Sequence, residues 1–371
     1  MRRINYFALR LITLVITLAV FSAINFGQTV NTPRPVSPAA ELKQTIGLST
    51  VTVNYSRPKL TFQGVDRTGK IWGQLVPYGF SKTNFGGQGD IPWRAGANEN
   101  TTIEFSDDVK IEGKPLAAGK YGLHMLIYED DRATLIFSKN NTSWGSFWYD
   151  AKDDVLRVDV KTLKIPKTEV LTYSFVDYGT DFGTLALSWE MKQIPFKIEF
   201  DTNKIVINNF RNELRNLPGF GWQGFLTAAN YCLTNNYNLE EALGWADTAA
   251  TRNPAFNTYA TKGAILYQLG RFDEGDKVYA DAAPLGNKNQ VNAAGYQLLG
   301  LKRYKKAIEI FTMNAEKYPD DPNVFDSLGE AYKQSGDREN AIKNLKKALS
   351  MNPPANVRAN SEKLLKELGA N

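Results

Sequence analysis

Between Thr50 and Phe200 apolar and polar positions alternate in short runs. Thr50–Arg57 (TVTVNYSR) alternates valine with polar residues, the period of a half-buried strand. Similar runs occupy Thr101–Phe105, Tyr121–Tyr128, Ala133–Ser138, Val155–Leu163, Val170–Asp177, Gly183–Glu190 and Ile194–Phe200. Turn residues separate them at Glu112-Gly113, Glu129-Asp130-Asp131, Asp153-Asp154 and Thr180-Asp181. Strands at this spacing, with no helical pattern between them, predict an antiparallel β-sandwich over residues 50–202. After Phe200 the period becomes helical. Lys204–Leu217 predicts a connecting helix within a linker at 203–222, ended by Pro218-Gly219.

From residue 223 to 355 the chain repeats itself. The last unit holds Leu328, Gly329, Tyr332, Ala341, Leu345, Ala348 and Pro353, and 34 residues earlier stand Ala294, Gly295, Leu298, Ala307, Phe311, Asn314 and Pro319. Two earlier units centre on Gly263 and Gly275, and on Ala229 and Ala242. The four units resemble tetratricopeptide (TPR) repeats, in which small residues let two helices cross closely and a proline ends the second. Asn314 departs from the pattern, and the second unit is two residues short and lacks its terminal proline. Residues 356–371 read as the solvating cap helix that such arrays need. The expected fold class is multidomain β + α: an antiparallel β-sandwich followed by an α-helical TPR-like solenoid.

Arg2, Arg3 and Arg10 precede the apolar run Leu11–Phe21, and Ser22, Ala23 and Gly27 follow it. This is the pattern of a secretory signal peptide over residues 1–28. An uncleaved anchor is the alternative, but the run reaches the roughly 20 residues of a membrane span only by including Arg10 and Asn25. Residues 29–49 read as a tether, with three prolines in Thr29–Pro38. The formal charge of +5 falls to +2 without the three leader arginines. Residues 29–222 carry 23 basic and 22 acidic side chains, and residues 223–371 carry 18 and 17, so neither half suits a phosphate backbone. Nucleic acid is excluded as a partner. One cysteine and one histidine exclude a disulfide framework, Cys-based zinc sites and paired-His motifs. No metal and no cofactor is expected.

Five segments carry a further resemblance: Val53–Pro58 (VNYSRP), Leu75–Gly79 (LVPYG), Trp93–Thr102 (WRAGANENTT), Val109–Leu123 (VKIEGKPLAAGKYGL) and Trp144–Asp150 (WGSFWYD). Over roughly residues 35–200 the chain resembles the bacterial domain of unknown function 2911 family, which is often followed by TPR-like helices. It departs by an insert at about Phe80–Asp90. The resemblance implies an exported β-domain, in the periplasm or outside the cell, and supplies no activity.

Several side chains are candidates for chemistry. Trp93, Arg94, Asn98 and Glu99 gather an indole, a guanidinium, an amide and a carboxylate within seven residues. The guanidinium fork of Arg94 can hold a carboxylate or phosphate, and Glu99 is a general acid or base, or the partner of Arg94. The competing reading is a loop tied to nearby backbone, with Gly96 in a special dihedral. His124 lies on a face with Gly122, Leu126 and Tyr128 that is not clearly polar, as a hydrogen-bonded histidine beneath a second sheet. No G-x-S-x-G supports a nucleophilic serine beside it. Trp144 and Trp148 can stack on sugar rings or plug the sandwich end. In the helical array, the first helix of each unit offers Tyr231, Asn235, Tyr267, Asn292, Tyr296, Glu330 and Lys333 to a peptide groove, while Asn257, Asn289 and Asn323 read as helix caps. Binding is therefore favoured over catalysis: a protein or peptide in the TPR groove, with a β-sandwich of unestablished activity. The alternative is a cell-envelope enzyme or glycan-binding protein with its site at Arg94, Asn98 and Glu99.

Overall fold

The computed structural model describes residues 34, 36–84, 86–87 and 89–370. The expected signal peptide lies outside the described residues. The chain divides into two compact units between Thr202 and Asn203.

The first unit contains β1 (Ala39–Ile46), β2 (Ser49–Ser56), β3 (Thr61–Phe62), β4 (Val65–Asp66), β5 (Ser81–Thr83), β6 (Gly89–Ile91) and β7 (Thr102–Phe105). It continues through β8 (Val109–Ile111), β9 (Lys114–Leu116), β10 (Gly119–Ile127), β11 (Arg132–Ser138), β12 (Asp154–Lys161), β13 (Leu163–Tyr178) and β14 (Phe182–Phe200). One sheet runs β1-β2-β7-β10-β11-β12 and a second runs β13-β14-β8-β9, with every pairing antiparallel. The apolar faces of the two sheets meet: Phe137 of β11 packs on Phe196 of β14, and Tyr55 of β2 on Tyr173 of β13, with ring centroids 6.4 and 4.8 Å apart. The antiparallel sandwich read from the alternation is what forms.

Two local expectations change, and the insert gains a structure. The supposed tether contains β1, which pairs along its whole length with β2, so the sheet begins at Ala39 rather than Thr50. Up to Thr45 its burial alternates between exposed and half-buried and only Ile46 is buried, which gives an edge strand little apolar signature. Gly183–Glu190 and Ile194–Phe200 belong to one 19-residue strand. Glu190 interrupts the alternation by taking a left-handed conformation (φ 53°), while its buried carboxylate accepts the Gly69 N–H at 2.6 Å. The insert after Gly79 carries a hairpin, β5–β6.

The second unit contains α1 (Thr202–Glu213), α2 (Gln223–Asn235), α3 (Leu239–Arg252), α4 (Phe256–Gln268) and α5 (Phe272–Ala282). α6 (Lys288–Gly300), α7 (Tyr304–Lys317), α8 (Pro322–Ser335), α9 (Arg338–Ser350) and α10 (Ala355–Glu367) follow. α2 to α9 form four helical hairpins and α10 packs after the last, as a TPR solenoid does. α1 is more than a connector: Ile207 is buried with Ala229, Cys232, Ala242, Ala246 and Ile265, so it covers the open end of the first hairpin. The short second unit ends in the single 3₁₀ turn Ala283–Leu285.

The close crossing of three of the four hairpins is set by a glycine. A Cβ on Gly263, Gly295 or Gly329 would stand 2.5–2.7 Å from Tyr279, Phe311 or Leu345 of the facing helix. Gly295→Ala is therefore expected to destabilise the array by about 1–3 kcal/mol, since the Phe311 ring is fully buried and has nowhere to move. Gly244→Ala, on α3 with nothing within 4 Å of the new methyl, is expected to stabilise it by about 0.5–1 kcal/mol. Urea unfolding followed by helical circular dichroism checks both signs.

Candidate functional site

β10 collects the segments that the sequence singled out. Trp93 exchanges backbone hydrogen bonds with Met125, at 3.0 and 2.8 Å, and the Gly79 N–H bonds to Ile127 O at 2.9 Å. The second face of β10 is covered by the Trp144–Asp150 segment rather than by another sheet. The hairpin β5–β6 holds that segment in turn, through Gly87 N–H to Phe147 O at 2.6 Å and Phe80 against Tyr149. Four of the five motif segments border one cleft of about 780 Å³, among them Pro58, Val76, Trp93, Arg94 and Ser146.

Trp93 stacks on Trp189 (6.4 Å, 17°), and Trp72 meets both edge-on at 5.7 and 6.0 Å. Such aromatic pairs add about 0.5–1.5 kcal/mol each beyond area burial. The Arg94 guanidinium lies over the Phe147 ring at 4.7 Å and donates to Asn98 O at 2.6 Å. On its other side Gly145 (φ 62°) leaves no room for a side chain: a Cβ would come within 2.2 Å of Nη1. Burial holds the Arg94 pKa below its usual value, and among the described residues no carboxylate pairs with it.

Glu99 is not the partner of Arg94. It binds Arg34, with Nη1 to Oε2 at 3.0 Å and the other guanidinium nitrogen on Oε1, and accepts the Ser56 hydroxyl at 3.1 Å. Partial burial would raise its pKa, but Arg34, its own backbone N–H and Ser56 outweigh this and hold it low. That carboxylate is an anchor held ionised, a poor general acid. Asn98 donates to Ser37 O at 3.2 Å. The left-handed residues are Ala95 and Asn98, not Gly96. Gly96 is needed because a Cβ would sit 2.7 Å from Thr101 Oγ1. Trp144 and Trp148 stay 54% and 58% exposed and do not border the cleft, so the structure does not bring them to Trp93 and Arg94.

His124 and Ser146 form a pair that the sequence did not connect. Nδ1 lies 2.8 Å from Ser146 Oγ, both residues are buried, and the ring meets Tyr149 edge-on at 5.4 Å. The signal was present in Gly145-Ser146, a serine directly after a left-handed glycine. Desolvation first, and the Arg94 charge second, push the His124 pKa down to about 4. The imidazole is neutral at pH 7 and can accept the serine proton, but no carboxylate among the described residues orients it.

The groove candidates divide. Tyr296, 37% exposed, donates to Glu330 Oε2 at 3.1 Å and accepts from Ser327 Oγ at 3.2 Å, both on the next first helix. Thr261 to Asn230 at 2.9 Å also joins first helices, and Asn360 at 2.9 Å and Ser361 of α10 bind Asp326 of the last one. Tyr231 bonds to Asn203 Oδ1 at 2.8 Å, and Asn235 is exposed and donates to Tyr231 O at 2.8 Å. Asn292 is half-buried with no partner for Oδ1 among the described residues. Lys333 is ion-paired with Glu367 of α10. Tyr267 leaves the set. It is 5% exposed, stacks on Tyr279 at 5.5 Å and bonds to Asp276, because Gly275 opens space for its ring on the facing helix of its own unit. Asn257, Asn289 and Asn323 do not cap; Asn287 and Asp321 do, accepting from Gln290 N and Asn323 N.

The buried imidazole gives stability a pH dependence with a definite sign. Its pKa is about 4 folded against an ordinary 6.5, so below pH 6.5 the unfolded chain takes up a proton that the folded one refuses. Stability is full above that point and falls as pH drops toward 4, by about 3 kcal/mol in total. Urea unfolding at several pH values should show this slope between pH 4.5 and 6.5 in the parent and not in His124→Gln. Equal slopes would place the titration elsewhere.

Residues 37–198 match the profile of the family described as "Protein of unknown function (DUF2911)", and residues 323–354 match that of a tetratricopeptide repeat. Curated relatives include cellulose synthase operon protein C of Escherichia coli K12 and the putative protein of that name from strain O157:H7. Each is 30% identical over 115 residues, 29% of this chain and 10% of the relative. The chain thus matches only about a tenth of their length. Solved structures with similarity include MamA from Desulfovibrio magneticus RS-1, at 22% identity over 40% of this chain and 90% of that one, TM-score 0.28. Another is PilF from Pseudomonas aeruginosa, at 20% identity over 40% and 70%, TM-score 0.29. The N-terminal region of this chain is accordingly a domain of the DUF2911 family, and tetratricopeptide repeats follow it.

Proposed function

We propose that this chain is an exported binding scaffold whose helical array holds an uncharged, extended segment of a partner protein along the first helices of its units. Tetratricopeptide repeats are a protein-interaction architecture. The observation that carries the reading is Tyr296, an aromatic ring on that face whose hydroxyl is fixed by Ser327 and Glu330, so it is pre-ordered for contact. Lys333, the one basic residue at the groove places, is occupied by Glu367, which argues against a partner gripped by its C-terminal carboxylate. The basic start and apolar run at the N-terminus support export. Among the described residues no helix is long and apolar enough to cross a membrane.

A photo-crosslinking residue at Asn235, in the full chain in its native host, should capture the partner. Purified, that partner should bind Tyr296→Ala about tenfold more weakly than the parent, with Tyr296→Phe in between. Its affinity should change by less than about threefold between low and moderate salt. Unchanged affinity in Tyr296→Ala, with parental helicity, would remove the first-helix face as the binding surface.

A further inference from the structure

The β-domain's charges nearly balance, yet its cleft is lined by charge of one sign. Arg34, Lys59, Arg67 and Arg94 border it, and among the described residues no Asp or Glu does. Only Arg34 is neutralised, by Glu99; among the described residues Lys59, Arg67 and Arg94 pair with no carboxylate. Arg67 spends its donors on the carbonyls of Leu60 and Lys59 and lies over Phe62 at 5.2 Å, which orients the charge without cancelling it. Arg94 is the costliest of the three, a largely buried guanidinium with one backbone acceptor and a ring for company. Much of the remaining lining is apolar, including Val36, Leu75, Ile91 and Trp93, with Trp189, whose buried Nε1–H has no acceptor among the described residues. The volume of about 780 Å³ lies in the range of small-molecule sites.

We propose that this cleft binds an amphiphilic organic anion, with a carboxylate or phosphate head on the unpaired cations and an apolar body along the proline- and tryptophan-lined wall. Every residue that lines the cleft belongs to the first unit. A glycan fits it less well, because neutral hydroxyls would leave Arg94 uncompensated.

Calorimetric titration of the full chain with decanoate, decyl phosphate and the neutral decanamide tests the proposal. At least one anion should bind roughly tenfold or more tightly than decanamide, and the preferred anion identifies the head group. Arg94→Gln should weaken that binding about tenfold with unchanged circular dichroism. Lys59 is exposed and among the described residues its ammonium has no ion pair, so Lys59→Gln is expected to stay folded. It should weaken binding a few-fold and flatten the salt dependence. Equal binding of decanamide, no binding of either anion at millimolar concentration, or parental affinity in Lys59→Gln would each overturn the proposal.

Discussion

A guanidinium taken largely out of water needs something to hold it, and at Arg94 the holding organises one end of the β-domain. Phe147 covers one side, the bare backbone of Gly145 the other, and the Asn98 carbonyl fixes the fork. The Trp93–Glu99 loop and the Trp144–Asp150 segment therefore cannot move independently. Ser146 is drawn onto His124, and the Arg94 charge helps keep that imidazole neutral. A cation–π contact is worth about 0.5–2 kcal/mol, far less than full desolvation of the charge, so the arrangement tolerates Arg94 rather than deriving stability from it.

The helical unit rests on a different constraint, the distance at which paired helices cross. Gly263, Gly295 and Gly329 let a ring or a leucine of the facing helix sit against backbone. That drives bulk toward the second helices and leaves the first helices to be joined by polar links, Asn230 to Thr261 and Tyr296 to Ser327. Between the second and third units the corresponding places are Ala264 and Ala293, and the seam is closed by packing, with Tyr267 and Tyr279 in the same core as Val291 and Leu298. The inward turn of Tyr267 belongs to that substitution of packing for hydrogen bonding.

What the sequence disclosed follows from which interactions are periodic. The strands with one apolar face and the glycine positions of the repeats were legible because burial repeats every second residue or every 34. β1 escaped because an edge strand buries little, and β14 read as two strands because one left-handed residue, Glu190, resets the alternation. Pairings between distant residues left no mark. Arg34 and Glu99 are 65 positions apart, and His124 and Ser146 are 22 apart. Composition showed a carboxylate and a guanidinium close in sequence and suggested a pair, whereas the left-handed residues Ala95 and Asn98 carry them to separate partners.

The same limit applies to charge. Net charge is a sum, and a near-zero sum excludes a partner that must be neutralised over a long surface, such as a nucleic acid backbone. It says nothing of a cavity, where a few groups in a low-dielectric setting decide what enters. In the β-domain the carboxylates of Asp66 and Asp131 meet Lys167 and Lys192, and Glu99 meets Arg34. These three acids are spent on other cations, and among the described residues Lys59, Arg67 and Arg94 are left without a carboxylate. A balanced domain holds a one-signed cleft when its acids stand elsewhere, in ion pairs such as these or on the open surface, so the placing of the carboxylates is as much a part of the cleft's electrostatics as the cations that line it.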